Sequence, residues 1–417
     1  MQHGIAQLPQ RDQVIARDLA KPAGVGLVVG AIGLGLTAVL GFAAKDHMLH
    51  FGHSMLVAIM FFLSICLGAL FFTLLQHVTS AGWSVAVRRV AEAMTGALMF
   101  LFPLVLGFIG IPVLFEMSYI YDWADPKFAH GSELIEGKLG YLNGVFLVVR
   151  IVLYFAIWIG VSRFFVGQSR AQDDDQDPAR TIKMQRRSGV AIILFGLATT
   201  FAAFDFMMSL NAEWFSTMYG VYIFAGAFWS SLATLALATM WLEKRGQLQG
   251  VVTVEHYHDI GKLMFAFTFF WSYVAFSQIM LYWYADIPEE THWFHYRIWG
   301  AWNGFSILLM VGHFIIPMLG LLSRHVKRRR NVLAAWCVYV LVFHFVDLYW
   351  NIMPEMANGI GGGDPAVVGP AFSPMDLTAM LGVGGVFIFG FLKSLDGKPV
   401  LAIGDPRLPE SLAFENV

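Results

Sequence analysis

Cysteine is almost missing from this chain: Cys66 and Cys337 are the only two among 417 residues. Two thiols cannot ligate a four-cysteine iron–sulfur cluster, and the sequence has neither a C-x-x-C redox pair nor a C-x-x-C-H for covalent haem. Charge is scarce as well. Asp, Glu, Lys and Arg make up 13% of the residues, about half of the ~25% usual in soluble domains. The formal net charge of −2 excludes a nucleic-acid binder held by bulk positive charge. A cleaved signal is not evident either. Residues 1–20 are polar, and the apolar run after Lys21 is Gly-rich and too long for a signal core. What is abundant is apolar surface: 57% of residues are hydrophobic and the mean hydropathy is +0.63. No water-soluble domain hides that much, so the composition implies a polytopic membrane protein.

Apolar runs of spanning length recur at 23–43, 52–76, 92–115, 141–165, 188–210, 215–241, 260–284, 297–322, 332–353 and 375–393. The expected fold is therefore all-α and integral to the membrane, with ten transmembrane helices. Residues 1–22 form an N-tail, 23–393 the transmembrane domain and 394–417 a C-tail. Segment 79–91 reads as an amphipathic lead-in to the third span, with Arg88 one turn from Glu92 and able to pair with it. Pro103, Pro112 and Pro317 lie within spans and are expected to kink them. The linkers 167–187 and 243–256 connect spans.

Lys and Arg fall overwhelmingly in the tails and the loops after spans 2, 4, 6 and 8, ending in the run RHVKRRR at 324–330. The opposite loops hold only Lys45, Lys127, Lys138 and Arg297. The positive-inside rule then places both termini in the cytoplasm, with the basic run facing anionic lipid rather than nucleic acid. The opposite loops are aromatic. Tyr119, Tyr121, Trp123, Tyr282, Trp283, Tyr284, Trp293 and Trp350 are expected to form an interfacial belt. Loops 116–140, 285–296 and 354–374 on that face are longer or aromatic-rich, and the Gly-rich stretch 358–364, which lacks the Gly-Lys-Ser/Thr of a phosphate loop, reads as a flexible connection.

An ionisable group at membrane depth is costly unless paired or solvated, so each one is informative. Arg150 on span 4 and Asp205 on span 5 fall at matched depth, where neighbouring antiparallel helices can join them. They are either a structural ion pair that fixes register or a quinone or proton site. The second cluster has His313 on span 8 and His344, Asp347 and Asn351 on span 9, the last three sharing one helix face at i, i+3 and i+7. Lys262 approaches from the cytoplasmic end of span 7, and Ser277 and Gln278 lie further along it. Such groups suit a proton half-channel with a lysine at its mouth. A buried polar network joining helices explains them equally well, and axial ligation of a b-type haem by His313 and His344 is a third reading. No metal site is assigned to His47, His50, His53, His256, His258, His292 or His295, which read as interfacial. Glu116, Asp286, Glu289, Glu290 and Glu355 gather on the opposite face, each best read as part of a solvated loop.

Three stretches carry a resemblance: FFTLLQHVTSAGWSVAVRRVAEAM (71–94), FAAFDFMMSLNAEWFSTMYGVYIFAGAF (201–228) and HDIGKLMFAFTFFWSYVAFSQIMLYWYADIPEETHW (258–293). They resemble the ActF family, the membrane subunits of alternative complex III, which oxidises quinol and passes electrons to cytochrome c or another acceptor. That family is in turn similar to the NrfD and polysulfide-reductase membrane subunits. The resemblance covers spans 2 to 9 and implies two four-helix bundles, spans 2–5 and 6–9, flanked by spans 1 and 10. It implies as partners a second NrfD-like subunit (ActC), an iron–sulfur subunit (ActB), c-type haem subunits (ActA and ActE), small membrane subunits (ActD and ActG) and a terminal oxidase. It places haem and iron–sulfur clusters in those partners, none on this chain, and quinone or quinol, menaquinone above all, as the ligand of the complex. The expected role is a respiratory membrane subunit that is not catalytic alone and contributes a proton pathway. The alternatives are a purely structural scaffold in that complex and a secondary transporter.

Overall fold

The computed structural model describes residues 11–44, 48–117, 119–357, 364 and 366–416. Lys45, His47, most of the Gly-rich stretch 358–364 and the side chain of Glu289 lie outside the described residues. Among the described residues there are no strands, only an isolated bridge between Ile15 and Pro399. Ten helices are long and apolar enough to cross a membrane: α1 (Ala20–Ala43), α2 (Leu49–Val78), α3 (Val85–Leu114), α4 (Gly144–Asp175), α5 (Pro178–Leu210), α6 (Tyr219–Lys244), α7 (Val254–Ala285), α8 (Asn303–Gly320), α9 (Arg330–Ala357) and α10 (Pro374–Leu395). They match the ten expected spans one for one, and the chain is an all-α multi-pass membrane protein.

The helices overrun the apolar runs that mark them. α4 has 32 residues; at ~1.5 Å each it is roughly 48 Å long, against a hydrocarbon core of ~30 Å. The expected linker 167–187 is therefore mostly helix, and the chain turns only at Gln176, in the left-handed region at φ 53°, and Asp177. Asp177 caps α5 by accepting from the Ala179 N–H at 2.9 Å. The second linker is shortened by a cap of a different kind. His256 Nδ1 accepts from the Thr253 N–H at 3.0 Å and closes the start of α7.

α2 is buried along nearly its whole length and packs against α6, α5, α9 and α10, so it forms the centre of the molecule. α1, by contrast, touches mainly α10 and turns Val25, Val39 and Phe42 outward. Where the two meet, both backbones need glycine. A Cβ on Gly385 would lie 2.4 Å from Gly26 O and Gly30 N, and one on Gly33 would lie 2.5 Å from Gly382 N. Lipid offers no hydrophobic drive for helix pairing, so close backbone approach supplies the attraction. Gly385→Val is expected to cost on the order of 1–3 kcal/mol by overpacking and to free α1. Equilibrium unfolding in mixed micelles measures the cost.

α3 and α8 each contain a wide turn, Leu106–Gly110 and Met310–Ile315, just before a proline. Pro112 and Pro317 have no N–H to give the carbonyl four residues back, and the wide turn takes up the mismatch. The Phe108 carbonyl left over by Pro112 accepts from the Tyr119 hydroxyl at 2.9 Å instead. The expected kinks thus take the form of wide turns at two of the three prolines.

The tails fold back onto the bundle. Val14, Ala16, Val400, Leu401 and Leu408 are buried, and the Ala16 N–H donates to Lys398 O at 3.0 Å. Beneath them lies an ionic cluster that the sequence only half revealed. Arg88 pairs with Glu92 at 3.4 Å as expected, and Arg88 also pairs with Asp405 at 2.5 Å. Arg89 binds Glu92 at 3.3 Å and Asp173 at 2.9 Å. Asp405 and Asp173, read as tail and linker, are in fact the buried counter-ions of α3. We call this the termini end of the molecule, and the opposite one the far end.

Candidate functional site

Arg150 and Asp205 meet as their depths implied. The guanidinium grips both carboxylate oxygens, with Nε at 2.7 Å from Oδ2 and Nη2 at 3.1 Å from Oδ1. Arg150 Nη1 donates to Tyr141 O at 2.8 Å, and the Tyr154 hydroxyl donates to Asp205 at 2.6 Å. The Arg150 guanidinium also lies 3.8 Å from the Tyr141 ring centre. Both residues are buried. Every polar atom of the pair thus has a partner within the protein, the pattern of a structural ion pair. Nearby Lys138 donates to Ala212 O at 2.6 Å; burial lowers its ammonium pKa, an effect that Glu213 partly offsets.

The second cluster is larger than its sequence outline. Asp347 is buried between α6, α7 and α9, and it accepts from the Tyr222 hydroxyl, from Trp271 Nε1 at 3.3 Å and from Asn351 Nδ2 at 3.2 Å. Tyr219 donates to Asn351 Oδ1 at 3.1 Å. One turn on, Arg297 donates to the Asn351 carbonyl at 2.9 Å and pairs with Glu355 at 2.9 Å. Tyr296 donates to the same Glu355 oxygen. Burial raises the Tyr296 hydroxyl pKa well above the usual tyrosine range, which the Arg297 charge opposes and Glu355 reinforces. His344, Asp347, Asn351 and Glu355 lie along one face of α9. Eleven residues at ~1.5 Å make a polar column roughly 16 Å long, running from mid-helix to the far end.

Two sequence assignments are corrected here. Arg297, counted as a loop cation, is fully buried with its guanidinium 3.5 Å from the Trp293 ring centre. Glu355, read as solvated, is its buried partner. Glu355 continues the His344, Asp347, Asn351 face at i+11, and that continuation was the available signal. Trp293 and Trp350 are likewise buried against Arg297 rather than interfacial, as are Tyr121 and Trp123 elsewhere at the far end. Trp283 and Tyr284 remain exposed, as a belt requires. The expected loop 285–296 carries a helix, Pro288–Ile298, and this helix delivers Arg297.

The other expected members divide. His344 Nε2 lies 2.7 Å from Ser64 Oγ on α2, which ties the column to the central helix. His313 is stacked between two indoles, with ring centres 3.8 Å from Trp271 and 4.1 Å from Trp229. A haem would need both imidazoles to face one open slot. Ser64 engages His344 Nε2 alone; His344 Nδ1 and both His313 nitrogens have no hydrogen-bond partner among the described residues, and the indoles cover the faces of His313 rather than its nitrogens. Gln278 donates to Ser216 at 2.9 Å and stands beside the column without joining it. Lys262 does not belong to it. Its ammonium is at the termini end, half-exposed, paired with Asp259 at 2.5 Å and bonded to Asn416 at 2.9 Å. His50, His53 and His256, read as interfacial, are buried; His50 lies 3.3 Å from Asp376, and His256 serves as a cap. Among the described residues no group of three or more His, Cys, Asp or Glu could hold a metal ion.

The arrangement can relay protons. Carboxylate, phenol, indole and amide side chains of Asp347, Tyr222, Tyr219, Trp271 and Asn351 stand in hydrogen-bond contact inside an otherwise apolar bundle, and the Arg297–Glu355 pair follows through the Asn351 carbonyl; the His344 imidazole bonds Ser64 instead. No family model matches the chain, and no curated protein does.

Proposed function

We propose that the chain is a membrane subunit of a quinol-oxidising electron-transport complex of the alternative complex III type, with spans 2–5 and 6–9 as its two bundles. It conducts protons and passes no electrons itself. The observation that carries this reading is Asp347, a carboxylate buried in the bundle with three side-chain donors and a polar column leading to one face. Such a group is costly at membrane depth unless it does a job. With no four-cysteine set or haem attachment motif on this chain, electron transfer in such a complex needs iron–sulfur and haem centres in companions resembling ActB and ActA or ActE, beside a second membrane subunit resembling ActC. The Lys/Arg distribution favours a cytoplasmic termini end, in what the resemblance makes a bacterial inner membrane. The far end, and with it the column's opening, then faces the periplasm.

In this reading Arg150 and Asp205 are structural. Asp205→Asn leaves a buried guanidinium without its charge partner and is expected to cost about 3–5 kcal/mol, while the folded fraction keeps its proton-to-electron ratio. A normal melting temperature with a lowered ratio would make the pair part of the path. The complex-level claim is tested by purifying the full chain from its native membranes and measuring iron and haem. Both are expected to accompany it. A chain that purifies metal-free and carries a solute in proteoliposomes is a transporter.

A further inference from the structure

Positive side chains gather at the termini end where α3 packs against both α4 and α10. Arg163 reaches over α3 from α4, its Nη2 donating to the Met99 sulfur at 3.4 Å. Lys393 reaches over α3 from α10, its ammonium 5.5 Å from the Phe100 ring centre and 5.2 Å from that of Phe389. Met99 and Phe100 are neighbours, so both cations stand at one level of α3. That level is the edge of the apolar runs 141–165 and 375–393, where lipid headgroups begin. Behind them Arg170 donates to Ser394 O at 2.8 Å and ties α4 to α10. Lys398 stands near Arg170. Burial lowers its ammonium pKa, the Arg170 charge lowers it further, and Asp396 partly offsets both.

The carboxylates of this end are committed elsewhere. Glu92 pairs with Arg88 and Arg89, Asp405 with Arg88, Asp173 with Arg89 and Asp175 with Arg180; among the described residues none pairs with Arg163, Lys393 or Lys398. Unbalanced positive charge at a membrane border favours an anion. Below the cations the surface becomes a shallow apolar trough. Met99, Pro103 and Gly107 follow one another on the outward side of α3, and Gly160 lies one turn below Arg163 on α4, all exposed. Nothing lies within 4 Å of a Cβ built on Gly107 or Gly160. Inorganic phosphate would leave this trough uncovered, whereas the acyl chain of a phospholipid lies along it.

We infer that this crevice binds an anionic phospholipid from the leaflet at the termini end, its phosphodiester held between Arg163 and Lys393 and one acyl chain lying along Pro103 and Gly107. The bound lipid bridges α4 and α10 across α3. Binding here is independent of electron transport and needs only the bilayer that the ten helices require.

The test is native mass spectrometry of the full chain, purified from its native membranes, delipidated in detergent and titrated with phosphatidylglycerol, phosphatidylcholine or free glycerol phosphate. One phosphatidylglycerol is expected to stay bound where phosphatidylcholine leaves. A positive charge beside an anionic headgroup is worth about fivefold in affinity. Arg163→Gln or Lys393→Gln should therefore weaken retention about fivefold and the double variant about 25-fold. Both side chains are exposed, so these variants should keep the wild-type melting temperature before lipid is added. Arg186→Gln/Arg187→Gln removes exposed cations of α5 instead and should retain lipid as wild type does. Unchanged retention in the first double variant, equal loss in the second, equal retention of phosphatidylcholine, or displacement by glycerol phosphate alone overturns the lipid site. A benzophenone on Gly160→Cys reports what covers the trough, since Cys66 and Cys337 are buried. Crosslinking to lipid is expected, and crosslinking to a companion polypeptide overturns the proposal.

Discussion

Asp347→Asn is expected to abolish most proton translocation by the native complex reconstituted in vesicles while quinol oxidation continues at a rate within a few-fold of wild type. The amide fills the same space and keeps an acceptor for Tyr222, while its Nδ2 faces the Trp271 N–H; the lost bond costs about 1–3 kcal/mol, which the fold should survive. What is lost is a group that can take and release a proton beside the column. The neighbours make the effect specific. Tyr222, Trp271 and Asn351 all donate toward this one carboxylate, and no other carboxylate lies within hydrogen-bond reach of it. A parallel loss of electron transfer and of proton movement would mean that Asp347 supports assembly. An unchanged proton-to-electron ratio would remove it from the path.

The second large effect concerns the far end. Arg297→Leu takes from the buried Glu355 the guanidinium that pairs with it at 2.9 Å. It also withdraws the donors that hold the carbonyls of Trp293, Trp350 and Asn351. Breaking a buried pair from one side costs about 3–5 kcal/mol, and the stranded carbonyls add to that. The expected result is a chain that inserts but melts well below wild type in detergent. The double variant Arg297→Leu/Glu355→Leu should recover much of the stability, since removing both charges lifts the desolvation cost, yet it should not recover proton translocation. Equal stability of the single variant and wild type would show that the pair is solvated and the column open to water there.

These residues show where the sequence was readable. Hydropathy located all ten helices, because spanning length and apolar composition are physical requirements of the bilayer. The His344, Asp347, Asn351 face could be read from spacing alone, since three and four residues apart means one side of a helix. Arg150 and Asp205 were paired by depth. The failures share one cause. Residues beyond an apolar run were taken as loop and therefore solvated, yet Arg297, Glu355, Asp173 and Asp405 lie beyond such runs and are buried. Folding of the tails and of Pro288–Ile298 back onto the bundle is a tertiary event that leaves little trace in periodicity. Lys262 lies at the end of α7 expected of a lysine at a mouth, but it does not reach the column. α7 begins at Val254, so the lysine sits two turns into the helix and reaches Asp259 and Asn416 at the surface. The Tyr219 and Tyr222 contributions were hidden among the 13 tyrosines of an aromatic-rich chain.

The most direct measurement is time-resolved infrared difference spectroscopy of the native complex during quinol oxidation. A carboxylic-acid carbonyl band that rises and decays with turnover, vanishes in Asp347→Asn and shifts in Tyr222→Phe is the predicted result. A turnover spectrum without any carboxyl change, or one whose band persists in Asp347→Asn, contradicts proton passage through this residue.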